Sequence, residues 1–273
     1  MKKADHSTNI CDLSTLRYKN LQLVHSTAKK HRKTVLSTST ANMPLEIHPC
    51  DERDLAEFQR IQVAAFYSGG QAMTTLLKPS PLPADYTEKS INKHLKSFRE
   101  DLDVTYLKVV DTDLGGKMIA GAKWRINEKE RSEEQVRKTL PVPGADEEGR
   151  PAAQDFFRYL ARVRWEYMGT KPFCCRLREQ TLGQIHVLKS TVLHILVTDP
   201  EHHRRGAGAM LVRWGTARAD KAQLPAFLEA TQVGRPLYAR EGFESKHEEV
   251  FDLSKYGLQG TDVSTVMIRE PLR

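Results

Sequence analysis

No run of apolar residues in this chain of 273 approaches the roughly 18 needed to cross a bilayer as a helix, and its start lacks the apolar core of a secretory signal. A soluble, cytoplasmic protein is the expectation. Cysteine is scarce: Cys11, Cys50, Cys174 and Cys175 form no C-x-x-C pair, and immediate neighbours rarely bridge each other. That excludes a disulfide framework and a zinc site, so free thiols and no metal are expected. With 13 Pro, 16 Gly and 39% hydrophobic residues, collagen, coiled coil and wholesale disorder are excluded as well. What is left is one large domain with attachments.

Acidic residues are nearly missing from the first 42 positions. There Lys2, Lys3, Arg17, Lys19, Lys29, Lys30, Arg32 and Lys33 face only Asp5 and Asp12, which places six of the chain's seven net positive charges in this stretch. Such a Ser/Thr-rich basic segment reads as an unstructured leader, an organelle-targeting extension, or an arm for nucleic acid or a membrane surface. The remainder is almost neutral, so nucleic acid is not the expected partner of the domain itself.

From Met43 the pattern becomes globular. Leu45-Glu46-Ile47 predicts a strand, and Leu55, Phe58, Ile61 and Ala65 recur at helical spacing before Gly69-Gly70. A loop carrying Pro79, Pro81 and Pro83 follows, then a helix over 90–99 and a hairpin of 104–110 with 118–126. Residues 128–153 are charged and then Pro/Gly-rich, the mark of a mobile insertion, and 176–190 read as an irregular insertion. Between them, Phe156, Leu160, Val163 and Tyr167 predict a helix.

The informative part begins at Ser190. Residues 192–197 are a near-continuous apolar strand, Asp199-Pro200 turns the chain, and His203-Arg204-Arg205-Gly206-Ala207-Gly208 opens a helix. The first amides of a helix lack internal partners, and the glycines let phosphate oxygens approach them, so this turn suits an anion. Arg204 and Arg205 add positive potential; the bland alternative is a tight turn with two solvated arginines. A P-loop is a poor fit because no Gly-Lys-Ser/Thr triplet follows Gly208, and Leu211 stands where a dinucleotide motif needs its third glycine. Further strands are predicted over 224–231, 248–253 and 263–268, with a short helix over 234–240.

These residues resemble the GCN5-related N-acetyltransferases, particularly small fungal members. The family's Gln/Arg-x-x-Gly-x-Gly/Ala motif is similar to residues 203–208, and the likeness extends through Ala122-Lys123-Trp124 and Leu237-Tyr238 with Gly242-Phe243. The resemblance implies an α/β (α+β) fold over 43–273, with a mixed, mostly antiparallel sheet flanked by helices. It also implies acetyl-CoA as cosubstrate and an acetyl group moved to a primary amine of a small molecule or a protein, by a monomer or a homodimer. Its pyrophosphate would lie on the amides of His203, Arg204, Arg205, Gly206, Ala207, Gly208 and Ala209. Its pantetheine would run along a strand edge at Leu196, Val197 and Thr198, where an amide could also steady the oxyanion.

Tyr238 matches the family's general acid, with core packing as the alternative. Glu229, a charge inside the run Phe227-Leu228-Glu229-Ala230, is either the base for the substrate ammonium or an edge-strand glutamate. Trp124, Trp165 and Trp214 read as core, and His194 as a packed or edge histidine before a base. The acceptor is expected near residues 66–90 and 156–175, where Phe66, Tyr67, Tyr86, Phe156 and Arg164 fall. His203 stands where Gln or Arg is usual. With the insertion at 176–190, that keeps open a CoA-binding protein without transfer activity.

Overall fold

The computed structural model describes residues 44–68, 71–129, 131–168 and 190–273. Its strands are Leu45–Pro49 (β1), Val104–Asp111 (β2), Lys117–Asn127 (β3), Ser190–Thr198 (β4), Ala226–Thr231 (β5), Glu244–Asp252 (β6) and Thr261–Arg269 (β7). They form one sheet in the order β1-β2-β3-β4-β5-β7-β6. Every neighbouring pair is antiparallel except β4 and β5. This is the mixed, mostly antiparallel sheet flanked by helices that the resemblance implies.

Successive side chains of a strand point to opposite faces, and the apolar runs of β4 and β5 fill both. Leu193 and Leu228 pack with Leu107, Trp124 and Met267 under Leu211 and Val212 of the helix Ala207–Ala222 (numbered α6 below). On the other face, Val192, Phe227 and Ile268 pack under Tyr159 and Val163 of a second helix, Pro151–Met168. Beside it, Tyr106, Met118 and Val197 lie under Leu55, Phe58 and Ile61 of the helix Leu55–Ser68. In chain order the helices are Leu55–Ser68 (α1), Ala72–Leu76 (α2), Tyr86–Glu100 (α3), Glu133–Lys138 (α4), Pro151–Met168 (α5), Ala207–Ala222 (α6) and Arg235–Arg240 (α7).

Two glycines set how closely helices approach the sheet. A Cβ on Gly121 of β3 would stand 2.6 Å from the Phe58 ring, and one on Gly215 of α6 would overlap the Trp124 indole. Trp124 is fully buried, and its Nε1–H donates to the Leu211 carbonyl at 3.1 Å. Burial of such a side chain is worth about 1.5–3 kcal/mol or more, which offsets a glycine in mid-helix at about 1 kcal/mol.

Several elements differ from the sequence expectation. The loop before α3 contains α2, held by Asp262, whose carboxylate accepts from the Met73 N–H and from Gln71 Nε2. Residues 128–153 carry α4, closed by a capping box of Ser132 and Gln135, and α5 already begins at Pro151. The helix expected over 90–99 starts at Tyr86, and the strand expected from 248 starts at Glu244. The segment 1–42, Cys11, Cys174, Cys175 and all of 176–190 except the first residue of β4 lie outside the described residues. Cys50 is a buried free thiol.

Candidate active site

Between β4 and α6 the chain makes a tight turn that no regular ladder supports. Asp199 donates its N–H to the Ile119 carbonyl and accepts from the Glu201 N–H, which starts the short turn Pro200–His202. Arg204 and Gly206 then take left-handed backbones, φ +63° and +91°. That is routine for glycine and costs an arginine about 1 kcal/mol or more. The first backbone bond of α6 runs from the Met210 N–H to the Gly206 carbonyl, so the amides of Ala207, Gly208 and Ala209 have no acceptor inside the helix. They face an end that carries the positive pole of a sixteen-residue helix.

Two ion pairs fix this turn, and neither was evident in the sequence. Arg60 of α1 bonds Asp199 at 2.6 Å, and Arg205 pairs with Asp111 at the end of β2. Asp199 and Asp111 are almost fully buried. Burial pushes both carboxyls up, but the arginines and the N–H groups of Glu201 and Asp113 outweigh it and hold both below their ordinary value. Arg205, expected to lend its charge to the anion, is thus committed to Asp111. Arg204 is exposed and has no ion-pair partner among the described residues. His203 turns back on the strand: its Nε2 lies 3.0 Å from the Thr198 carbonyl, the geometry of an Nε2–H donor.

The strand edge divides differently from the expectation. Among the described residues β4 and β5 pair only at Thr191 with Ala226 and at Val192 with Phe227, then part. On its other side β4 follows β3, with Asp199 opposite Ile119 and Val197 opposite Gly121. Antiparallel ladders alternate, so Val197 bonds toward β3, while the backbone groups of Leu196 and Thr198 face the opening. Gly208 closes the arrangement. A Cβ there would lie 3.3 Å from Leu237, 3.7 Å from the Thr198 hydroxyl and 4.0 Å from Leu196. The end of β4, the mouth of α6 and the helix carrying Tyr238 therefore meet at one glycine.

Tyr238, on α7, is buried against Phe243, ring centroids 6.1 Å apart. Burial drives its phenol well above the ordinary value, so it is protonated throughout the neutral range. Glu229, two residues beyond the last β4–β5 pair, is not at an exposed edge. Arg164 of α5 holds it bidentately at 2.7 and 3.0 Å, and the two side chains are 9% and 7% exposed.

A bulge lies between Lys123 and Trp124, where Lys123 faces Ile195 and Trp124 faces Leu193. His194 is the extra residue, set just past the last β4–β5 pair. Burial, followed by the positive charges of Arg164, Lys123, Arg125 and Arg131, holds its imidazole neutral and well below the ordinary value. Of the tryptophans, Trp124 is core. Trp214 and Trp165 are half-buried and carry the guanidinium groups of Arg218 and Arg137 on their faces. Tyr67 and Tyr86, expected near the acceptor, share a hydrogen bond at 3.1 Å. Among the described residues no group of three His, Cys, Asp or Glu side chains could hold a metal ion, and no helix is long and apolar enough to cross a membrane.

Solved structures with a similar fold include a mosquito arylalkylamine N-acetyltransferase-like protein (13% identical, TM-score 0.54) and an agmatine N-acetyltransferase (14%, 0.53). The polyamine N-acetyltransferase of Drosophila melanogaster is another (13%, 0.52). Each match covers 83% of this chain and 99% of the other. The chain has the fold of the GCN5-related N-acetyltransferases. Over 41 residues the chain is 42% identical to the probable acyltransferase SID5 of Ajellomyces capsulatus. That stretch is 15% of this chain and spans about 30% of the curated relative's length. No family model matches the chain.

Proposed function

We propose that residues 43–273 form an N-acetyltransferase that uses acetyl-CoA and delivers the acetyl group to a primary amine. The observation that carries this reading is the parting of β4 from β5 after Val192 and Phe227, directly beside the unpartnered amides that open α6. A thioester needs such a slot: an extended arm beside a free strand edge, with its diphosphate on a helix mouth. The GNAT fold and the acyltransferases that share it support the reading.

In this scheme the amides of residues 206–209 and the Arg204 guanidinium receive the diphosphate, while the Leu196 backbone groups and the Thr198 N–H are offered to the pantetheine, the Thr198 carbonyl being held by His203. The amine nitrogen attacks the thioester carbonyl, a C–N bond forms, and the C–S bond breaks as the electron pair leaves on sulfur. Tyr238 supplies the proton that the departing thiolate takes. Each oxygen of Glu229 accepts one bond from Arg164 and keeps a lone pair, through which a water could carry away the ammonium proton.

The test is calorimetry with coenzyme A, followed by mass-detected acetylation of an amine panel. Binding together with transfer to at least one amine is expected. No heat at millimolar coenzyme A would overturn the reading, whereas tight binding with no transfer to any amine would leave a CoA-binding protein.

A further inference from the structure

Around His194 the structure places more hydrogen-bond donors than acceptors. Lys123, Arg125 and Asn127 alternate on β3 and so share one face of the sheet. Arg131 follows the strand, and Arg164 approaches from α5. Asp101 and Asp103 pair with Arg125, and Glu229 pairs with Arg164. Those three carboxylates serve two of the four cations. Lys123 and Arg131 have no ion pair among the described residues: the Lys123 ammonium stands 5.3 Å over the Tyr106 ring, and Arg131 donates only to the Thr139 hydroxyl.

Burial sharpens this imbalance. Among the described residues, Arg125 Nε, Arg131 Nε, Asn127 Nδ2 and His194 Nε2 are all buried without a hydrogen-bond partner. The first three are donors in any protonation state. Leaving a buried donor unpaired costs about 1–3 kcal/mol, so three together, beside the unpartnered His194 Nε2, mark a place built to receive lone pairs from elsewhere. The cluster adjoins the opening, since His194 and Glu229 each lie two residues past the last β4–β5 pair.

Resting on the transferase reading above, we propose that the acceptor bears a carboxylate as well as its amine, and that Lys123, Arg131 and His194 Nε2 dock this carboxylate while the amine faces the thioester. An acidic amine supplies the lone pairs the cluster lacks and neutralises its uncompensated charge. A polyamine would bring further cations against Lys123 and Arg131, so this site selects against the acceptors named for the structural neighbours.

The experiment compares ω-amino carboxylates of two to six carbons with n-alkylamines of the same length, by mass-detected acetylation. For at least one length the carboxylate should raise kcat/KM tenfold or more, and Arg131→Gln and Lys123→Gln should each erase most of that preference while transfer to the alkylamine persists. Equal or better transfer to every alkylamine would overturn the proposal and leave the transferase reading standing. Calorimetry of the matching ω-acetamido carboxylates covers a protein without turnover. Heat that Arg131→Gln abolishes supports carboxylate docking even if transfer has failed, and no heat for any length overturns it.

Discussion

Gly208 and Leu237 nearly touch: the hydrogen of Gly208 occupies a gap in which a methyl group would stand 3.3 Å from Leu237 Cδ2. One residue opens the anion-binding end of α6 and the other precedes Tyr238, so anything that widens this contact separates the phosphate loop from the proposed acid.

Gly208→Val should therefore raise the KM for acetyl-CoA at least about tenfold and lower kcat as well, since misplacement near 1 Å costs on the order of 100-fold in rate. Steady-state kinetics at saturating amine, with circular dichroism to verify folding, measures both. Unchanged kinetics in a folded variant would remove Gly208 from the site.

Tyr238→Phe removes a proton donor without changing the packing against Phe243. The expected result is a fall of about 100-fold in kcat with coenzyme A affinity retained. Because burial holds the phenol well above its ordinary value, the wild-type rate should show no loss from its ionisation as pH rises toward 10. A pH profile of kcat for both proteins tests the pair of statements.

Gly215→Ala places a methyl group on the Trp124 indole, which is itself pinned by its bond to the Leu211 carbonyl. Overpacking of this kind costs about 1–3 kcal/mol. Urea denaturation should show a lower midpoint, although alanine is the better helix former; an equal or higher midpoint would mean that Trp124 can move.

Acid should weaken the fold in two stages. His94, buried between Tyr106 and Gln59, has its pKa lowered to about 4 by burial and by Lys123. The unfolded chain takes up that proton first, so stability falls as pH drops from about 6.5 to 4 and this contribution then levels off. Asp199 and Asp111 are held below the ordinary carboxylate value, so their contribution is present above about 4 and is lost as pH falls further. Denaturation midpoints of wild type and Asp199→Asn across pH 3–7 should converge only in the lower part of that range.

The central unit was legible because its signals are local. An apolar strand, an Asp-Pro turn and a glycine-bearing helix start all lie within 190–208, and each contributes its own backbone preference. The pairs that secure it were not legible: Arg60 and Asp199 are 139 residues apart, and nothing in either neighbourhood announces the other. The bulge at His194 depends on the register of β3, which no single strand encodes. α4 was hidden because its stability comes from the cap at Ser132 rather than from a long apolar stripe. The start of β6 was hidden because this edge strand opens on charged residues that face water. Glu229 was recognised as out of place in an apolar run, but its commitment to Arg164 became visible only with α5 in position.

The brevity of the β4–β5 pairing has a mechanical side. Among the described residues, two residue pairs are the sole strand pairings that join the four strands on one side of the sheet to the three on the other. A molecule lying along the free edge would act as a clasp across this seam, in addition to the side chains packed over it. Occupancy at 100 times Kd should then raise the free energy of unfolding by about 2.7 kcal/mol, with the slowing of amide hydrogen exchange concentrated on the residues that flank the seam.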